Sequence, residues 1–197
     1  MPYFFSDIDH EHEYWHCLKQ KAVSKTSLDM IDKYIKSQEL VDAEYKTLKK
    51  DAASKEIRST KICWLKDQKL LPVYQEIASV VRKINDEFWR IMIEGWEPFQ
   101  YGEYRAENNG HYDWHIDTTA RYNGGDIRKV SFSLGLSEKH EYDGGAFELK
   151  RSRDNLSVKL GRGELMVFPS YLLHRVAPVT RGVRKTLVGW GRGPNFV

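Results

Sequence analysis

Residues 163–190 read GELMVFPSYLLHRVAPVTRGVRKTLVGW, a stretch in which short apolar runs alternate with turn-forming residues. Pro169-Ser170 and Arg181-Gly182 divide it into three segments. Short apolar runs bounded by Gly, Pro and Ser are typical of strands buried inside a β-sandwich or barrel. The stretch therefore predicts three consecutive β-strands and a β-rich C-terminal half.

The same alternation extends upstream to about residue 94, with turn signals at 108–110, 123–125, 143–145 and 161–163. Together these signals predict eight short strands: Phe99–Ala106, Tyr112–Ile116, Lys129–Leu136, Ala146–Leu149, Leu156–Leu160, Glu164–Phe168, Leu173–Val176 and Arg184–Trp190. Eight strands of this length are typical of a jelly roll, or double-stranded β-helix, in which two sheets wrap around one core.

The N-terminal half has helical periodicity instead. Ser27 is the predicted N-cap of a helix over Leu28–Lys36. Pro72 suits the first turn of a longer helix, whose apolar stripe is Val73, Ile77, Val80, Val81, Ile84 and Phe88. With 197 residues and 41% hydrophobic content, we expect one domain. The predicted class is α+β, mainly β, with residues 1–93 as helical support and 94–197 as the double-stranded β-helix core.

Three side chains in the predicted strands are candidate metal ligands and catalytic residues. His115 and Asp117 are two residues apart and therefore point to one side of a strand end. His174 is the only histidine in the last three predicted strands. An HxD pattern alone is common on protein surfaces, and a lone buried His is usually a core residue. Together, two imidazoles and one carboxylate are the set that holds Fe(II) while leaving coordination positions open.

Arg184 opens the last predicted strand and is a candidate anion-binding residue. A guanidinium binds a carboxylate through two parallel hydrogen bonds and stays protonated when buried. Its predicted partner is the distal carboxylate of a keto acid that chelates the metal. Lys185 and Arg181 are the alternatives, but strand alternation places Lys185 on the opposite face from Arg184.

Four segments of the chain resemble a known family: YGEYRAENNGHYDWHID (101–117), RKVSFSLGLS (128–137), YDGGAFEL (142–149) and residues 163–190. They are similar to the 2-oxoglutarate and Fe(II)-dependent dioxygenases, in the prolyl 4-hydroxylase-like branch that includes the PKHD-type hydroxylases. The resemblance runs from about Gln100 to Trp190. It implies that the three candidate ligands bind iron and that Arg184 binds the C5 carboxylate of 2-oxoglutarate.

The resemblance also implies roles for several aromatic residues. Tyr104 stands where relatives often place a Tyr that contacts 2-oxoglutarate, and Tyr112 stands where a ring lines the pocket. Trp190 corresponds to an aromatic residue at the end of the last strand that is predicted to contact bound substrate. Packing within the barrel is the alternative for all three. In one departure, Leu134 and Gly135 occupy a position where several relatives have a Tyr that helps to bind the co-substrate.

The loop before Tyr112 and the loop over 118–126 are predicted to form the substrate rim, and Arg121 in the second loop is predicted to bind substrate. The glycines of the second loop permit a lid that closes over the substrate, and a loop without that role is the alternative.

The activity implied by the resemblance is hydroxylation of a C–H bond, coupled to decarboxylation of 2-oxoglutarate to succinate and CO2. Fe(II) and O2 would be needed, with ascorbate as a possible reductant. The leading substrate is a prolyl residue in a peptide or protein. The alternatives are a small molecule or a nucleic acid as substrate, or a noncatalytic metal-binding barrel.

Composition adds expectations about partners and compartment. From Lys150 onward the chain has ten Lys or Arg against two acidic residues, which favours an anionic ligand or a solvated basic face. No nucleic-acid-binding motif is present, so nucleic acid is a minor alternative. Two distant cysteines, no signal-peptide pattern and no apolar run of about 20 residues favour a cytoplasmic protein without a membrane anchor. His10 and His12 are expected to be solvated, and the oligomeric state is not predicted.

Overall fold

The computed structural model describes residues 15–43, 56–118 and 126–195. Two α-helices lie in this part of the chain, α1 (Lys25–Ile35) and α2 (Leu71–Phe88). The strands are β1 (Cys17–Lys19), β2 (Val41–Asp42), β3 (Arg58–Ser59), β4 (Lys61–Trp64), β5 (Gly95–Trp96), β6 (Gln100–Arg105), β7 (His111–His115), β8 (Ile127–Gly135), β9 (Tyr142–Gly144), β10 (Phe147–Arg151), β11 (Asp154–Val158), β12 (Leu165–Pro169), β13 (Leu173–Val176) and β14 (Val179–Gly193).

The strands form two antiparallel sheets. The large sheet has the order β1-β12-β8-β14-β6-β4-β2, with β5 and β9 also paired to β14. The small sheet has the order β11-β10-β13-β7-β3. Side chains from both sheets share one apolar cluster, which includes Tyr104 of β6, Phe168 of β12 and Phe147 of β10. This pair of facing sheets is a double-stranded β-helix, so the predicted fold is confirmed.

The helices cover the other face of the large sheet. Val73, Ile77, Val81 and Ile84 of α2 are buried against apolar residues of β6, β8 and β14. Pro72 lies in the first turn of α2, as the sequence predicts. The large sheet therefore has an apolar cluster on each side.

The predicted start of α1 is wrong by one turn. The helix begins at Lys25, and its N-cap is Ser24, whose hydroxyl accepts a hydrogen bond from the Ser27 N–H. Glu76 of α2 fixes this end, because its carboxylate accepts hydrogen bonds from the Ser24 N–H at 2.8 Å and from both serine hydroxyls. Since this partner lies 52 residues away, local sequence alone does not distinguish Ser24 from Ser27.

All eight predicted strands are present; β13 has the predicted boundaries, and the boundaries of the other seven are shifted. The largest shift is in β14, which begins at Val179 and passes through the predicted turn at Arg181-Gly182. Its first residues pair with β9, and the later ones pair with β6 and β8. Gly182 has a φ of +71°, and a Cβ there would lie 2.0 Å from the Glu141 carbonyl oxygen. Gly182 thus permits a close crossing within a strand.

The part of the chain before residue 94 also contributes β-structure, beyond the helical support that the sequence predicts. It supplies β1, β2 and β4 to the large sheet and β3 to the small sheet. Among the described residues, no helix is both long and apolar enough to cross a membrane. The predictions for Arg121, for the middle of its loop and for His10 and His12 lie outside the described residues.

Candidate metal centre

The three predicted metal ligands converge between the ends of two neighbouring strands. His115 ends β7 and pairs with His174 of β13, with 4.1 Å between the ring centroids. Asp117 follows two residues after His115, and its N–H donates to the Ser170 carbonyl. One donor atom from each side chain lies within 4.8 Å of the others, a cluster that could hold a metal ion. Among the described residues, no other such group of His, Cys, Asp and Glu occurs.

Both imidazoles are oriented by the backbone in the same way. The Nδ1 atom of His115 lies 2.7 Å from the Asp113 carbonyl oxygen, and that of His174 lies 2.9 Å from the Leu172 carbonyl oxygen. Because a carbonyl only accepts hydrogen bonds, each Nδ1 carries the proton. Each Nε2 is thus the nitrogen that faces the cluster, and these atoms lie 3.8 Å and 3.4 Å from the Asp117 carboxylate oxygens.

Burial and charge prepare the cluster for a cation. Burial, reinforced by the neighbouring His174, lowers the pKa of His115 to about 4, so this imidazole is neutral near pH 7. Burial alone would raise the pKa of Asp117, but the two imidazoles, Arg128 and the Trp190 indole lower it. The carboxylate is therefore ionised. Neutral imidazole nitrogens with one carboxylate form the donor set expected for a non-haem Fe(II) site.

Ser131, which the sequence does not identify as a site residue, holds the carboxylate from the side of the large sheet, and Ser170 contacts Ser131. The Ser131 hydroxyl of β8 donates to Asp117 Oδ2 at 2.8 Å. Its oxygen lies 2.8 Å from the Ser170 hydroxyl. The sequence pattern that points to Ser131 is the alternation of Ser131 and Ser133 with apolar residues, in a strand where the serines are buried as well.

Arg184 is buried with two nitrogens that lack partners. It is 2% exposed, and neither terminal nitrogen makes a hydrogen bond to a described residue. The guanidinium does lie near the Tyr142 hydroxyl, and its charge partly offsets the rise in the pKa of Tyr142 that burial causes. Its guanidinium lies 5.1 Å from the ring centroid of Tyr104, the residue opposite it on β6. Gly145 leaves room here, since a Cβ at that position would lie 3.0 Å from Arg184 Cδ. A buried cation without an acceptor is costly, so this arrangement favours an anionic ligand.

The alternative cations are placed elsewhere. Lys185 is exposed on the opposite face of β14, as strand alternation predicts. Arg181 is exposed and donates to Asp143 at 2.6 Å.

Three predicted aromatic residues lie at the site. Tyr104 is 3% exposed and belongs to the apolar cluster between the sheets. Tyr112 stacks on the His115 imidazole, with 3.6 Å between centroids and 18° between planes. Trp190 is 7% exposed and hydrogen-bonds to Asp117. Their contacts with co-substrate or substrate stay predictions.

The departure at Leu134 and Gly135 has a structural reason. Leu134 packs into the helix-covered cluster on the other face of the large sheet. A Cβ on Gly135 would lie 2.2 Å from the Gly161 carbonyl oxygen, so this position excludes a side chain. Ser133, on the site face, donates to or accepts from Thr186 at 3.0 Å.

The positions of these residues agree with a match to a known family. Residues 99–192 match the 2OG-Fe(II) oxygenase superfamily. The matched region extends from just before β6 into the end of β14, so it contains all three candidate ligands and Arg184. The family resemblance predicted from the sequence is confirmed.

Curated relatives of the matched region include PKHD-type hydroxylases. The protein of this name from Synechococcus sp. (strain CC9311) is 37% identical over 86 residues, which are 44% of this chain and 38% of the relative. The one from Hyphomonas neptunium is 44% identical over 82 residues, covering 40% of this chain and 36% of the relative. The chain thus matches well under half of the length of these relatives.

Solved structures share the fold over most of the chain. A prolyl-4-hydroxylase from Pseudomonas putida has a TM-score of 0.70 at 21% identity, with 92% of this chain and 94% of that one covered. A prolyl hydroxylase from Trichoplax adhaerens, in complex with a hypoxia inducible factor oxygen degradation domain peptide, has a TM-score of 0.68 at 17% identity. That likeness covers 90% of this chain and 83% of the other.

Proposed function

We propose that this protein is a dioxygenase that depends on Fe(II) and 2-oxoglutarate and hydroxylates a C–H bond. The observation that carries the proposal is the pairing of a buried His-Asp-His cluster with a buried arginine whose terminal nitrogens lack acceptors among the described residues. In the proposed reaction, substrate, O2 and 2-oxoglutarate give hydroxylated substrate, succinate and CO2. One oxygen atom enters the substrate and the other enters succinate.

His115, Asp117 and His174 would hold the iron through two Nε2 atoms and one carboxylate. Bound Fe(II) supplies open coordination positions for a chelating keto acid and O2, and the electrons that activate O2. The residues fit such an ion, because the Nε2 lone pairs and the carboxylate face one point and the Nδ1 atoms are held by backbone carbonyls. Ascorbate stays a predicted reductant.

Arg184 would bind the C5 carboxylate of 2-oxoglutarate through its two terminal nitrogens. The apolar cluster between the sheets connects the metal ligands with Arg184. At one end, His174 contacts Phe147 and Phe168 of this cluster. At the other end, Arg184 lies over Tyr104, which belongs to the same cluster. The side chains of the cluster exclude bulk water from the co-substrate, which strengthens the charged hydrogen bonds.

The proposed substrate is a prolyl residue in a peptide or protein. Sequence similarity to PKHD-type hydroxylases and the shared fold with two prolyl hydroxylases support this choice. A small molecule or a nucleic acid is the alternative substrate. We also propose that the chain is one domain, in which the elements before residue 94 buttress the core through α2 and β4.

The test is succinate formation from 2-oxoglutarate by the purified chain with and without Fe(II). We expect iron-dependent succinate, which rises when a proline-containing peptide that gains one oxygen atom is added. Small-molecule and oligonucleotide panels test the alternative substrates in the same assay. Stoichiometric iron and 2-oxoglutarate binding without succinate, across all panels, would instead identify a noncatalytic barrel.

A further inference from the structure

Next to Asp117, an aromatic ring and a guanidinium lie in contact. The Trp190 indole hydrogen-bonds to the Asp117 carboxylate. The Arg128 guanidinium lies over the Trp190 ring, 3.7 Å from its centroid. Arg128 Nη1 is also 3.9 Å from Asp117 Oδ1. Both side chains are mostly buried, which strengthens a cation–π contact relative to an exposed one.

Arg128 is itself fixed by Glu97. Two parallel hydrogen bonds join them, from Arg128 Nε to Glu97 Oε1 at 2.8 Å and from Arg128 Nη2 to Glu97 Oε2 at 2.7 Å. The Glu97 side chain is 1% exposed, and its N–H donates to the Trp190 carbonyl at 3.1 Å. A bidentate pair of this kind fixes the plane of the guanidinium as well as its position. Because Glu97 holds Arg128 and Arg128 lies over the Trp190 ring, Glu97 indirectly helps to orient that ring.

The contacts on Asp117 come from two directions. Ser131 donates to Oδ2 from β8, and Trp190 reaches the carboxylate from β14. A carboxylate has about four lone-pair sites, so two donors leave sites for a metal while restricting rotation of the group. Of the three candidate ligands, Asp117 is the one that lies beyond a strand end, where the strand ladder does not hold it. It is therefore the ligand with most need of support from other side chains.

We propose that Trp190 and Arg128 are positioning residues that hold Asp117 in its metal-binding orientation, with Glu97 as the anchor of Arg128. This inference rests on the proposed metal centre. It assigns Trp190 to the support of a ligand, whereas the sequence analysis assigns it to substrate contact. The two roles differ in what they control: support of Asp117 sets metal affinity, and substrate contact sets the KM of the substrate.

The test is the affinity of the metal-free chain for Co(II), measured by titration of its visible absorption, which also reports coordination geometry. Trp190→Phe keeps a ring under Arg128 but removes the N–H donor. Arg128→Lys keeps the charge but loses the planar fork. Loss of an outer-sphere partner weakens metal binding by about 10- to 100-fold, and we expect a Co(II) Kd raised within that range for Trp190→Phe and near its lower end for Arg128→Lys.

Each variant has a matched control. Trp96→Phe makes the same change in a tryptophan that packs on Phe99 and Phe132, on the helix-covered face. Arg162→Lys makes the same change in an arginine that donates to Asp32, outside the metal centre. We expect both controls to bind Co(II) like the wild-type chain. The KM for 2-oxoglutarate at saturating metal should change by less than about threefold in both test variants, because that ligand depends on Arg184.

The outcomes separate the two proposals. Failure of the wild-type chain to bind Co(II) would reject the metal centre and the proposed function with it. If the wild-type chain binds Co(II) and the Co(II) Kd values of Trp190→Phe and Arg128→Lys lie within about twofold of the wild-type value, only the positioning role is overturned. If Trp190→Phe raises the KM for the substrate that undergoes hydroxylation and leaves the Co(II) Kd unchanged, Trp190 is assigned to substrate contact. If Trp190→Phe does not fold, judged by thermal unfolding of the metal-free chain, Arg128→Lys decides.

Discussion

The two faces of the large sheet differ in what they bury, although the same strands supply both. On β8, Val130, Phe132 and Leu134 point towards the helices and lie in an apolar cluster. Ser131 and Ser133, between them in sequence, point towards the small sheet and bond to Asp117 and Thr186. Because successive side chains of a β-strand point to opposite faces, the apolar residues of β8 pack against the helices and its serines face the candidate metal centre.

The two faces also differ in how they contribute to the stability of the fold. Apolar burial on the helix side stabilises the fold by about 25 cal/mol per Å². On the site side, the buried guanidinium of Arg184 has no acceptor for its terminal nitrogens among the described residues, which destabilises the ligand-free chain. Substitutions on the helix face should therefore change stability, and those on the site face should change ligand binding.

The largest effect on the site face is expected for His174→Ala. This change removes a proposed iron ligand. Loss of an outer-sphere partner lowers metal affinity or activity by ~10- to 100-fold, so loss of a ligand itself should lower iron-dependent decarboxylation by more than that. Because the variant keeps the Phe147 and Phe168 contacts with each other, the metal-free chain should remain folded. The measurements are succinate formation and thermal unfolding. Iron-dependent turnover at the wild-type rate would remove His174 from the site.

On the helix face, the corresponding change is Phe132→Ala. Phe132 is 1% exposed and contacts the Phe99 ring edge-to-face at 4.9 Å. Loss of such a side chain costs about 3–5 kcal/mol of unfolding free energy, which urea denaturation measures. The folded fraction should bind iron with the wild-type stoichiometry. A folded Phe132→Ala chain that binds no iron would break the division between the two faces.

Arg184→Met should change stability and binding in opposite directions. Loss of charged hydrogen bonds should raise the KM for 2-oxoglutarate by roughly 10- to 100-fold, equivalent to about 1.5–3 kcal/mol. The metal-free chain should become more stable, because a buried cation whose terminal nitrogens lack acceptors is removed. Steady-state kinetics and urea denaturation measure the two effects.

Lys185→Met is the control for this prediction, since Lys185 neighbours Arg184 but is exposed on the other face. It should leave the KM unchanged. A destabilised Arg184→Met chain with normal KM would show that the arginine serves the fold.

Ser131→Ala should have a smaller effect, confined to the metal. It removes the 2.8 Å hydrogen bond to Asp117 and should raise the Fe(II) Kd by about tenfold. Ser133→Ala is the matched control, because that hydroxyl bonds to Thr186 and not to a candidate ligand. Equal Fe(II) affinities for the two variants would contradict a supporting role for Ser131.

The smallest expected effect lies on the helix face, at Cys63. Burial raises the pKa of its thiol to about 11, so the folded chain holds this proton more tightly than the unfolded chain does. The unfolding free energy should therefore fall as pH rises through about 9 to 11, by at most about 1.4 kcal/mol per pH unit. Cys63→Val should flatten this alkaline slope without changing iron affinity. An unchanged slope would show that Cys63 does not contribute to it.

The sequence predicts the eight core strands and the metal triad because both follow from local patterns. Alternation and turn signals give the strands, and the HxD spacing gives two ligands that share a side. The preference for Arg184 over Lys185 as the inward residue follows from the same alternation, and the structure confirms the directions of both side chains.

What the sequence does not predict depends on partners that are distant along the chain. Glu76 selects Ser24 as the cap of α1, and Glu97 sets the position of Arg128 across 31 residues. The two-residue strands β2, β3 and β5 carry too few side chains for a period of two to be recognised. The extension of β14 through Gly182 depends on a close backbone crossing that composition alone does not reveal.

The most direct test of the proposed site is an anaerobic titration of the Fe(II)-loaded chain with 2-oxoglutarate, followed by the visible charge-transfer absorption of the chelate. We expect one equivalent of 2-oxoglutarate per iron, no absorption band in His174→Ala, and a band in Arg184→Met that requires far more 2-oxoglutarate. A band of wild-type intensity and affinity in both variants would contradict the proposed site.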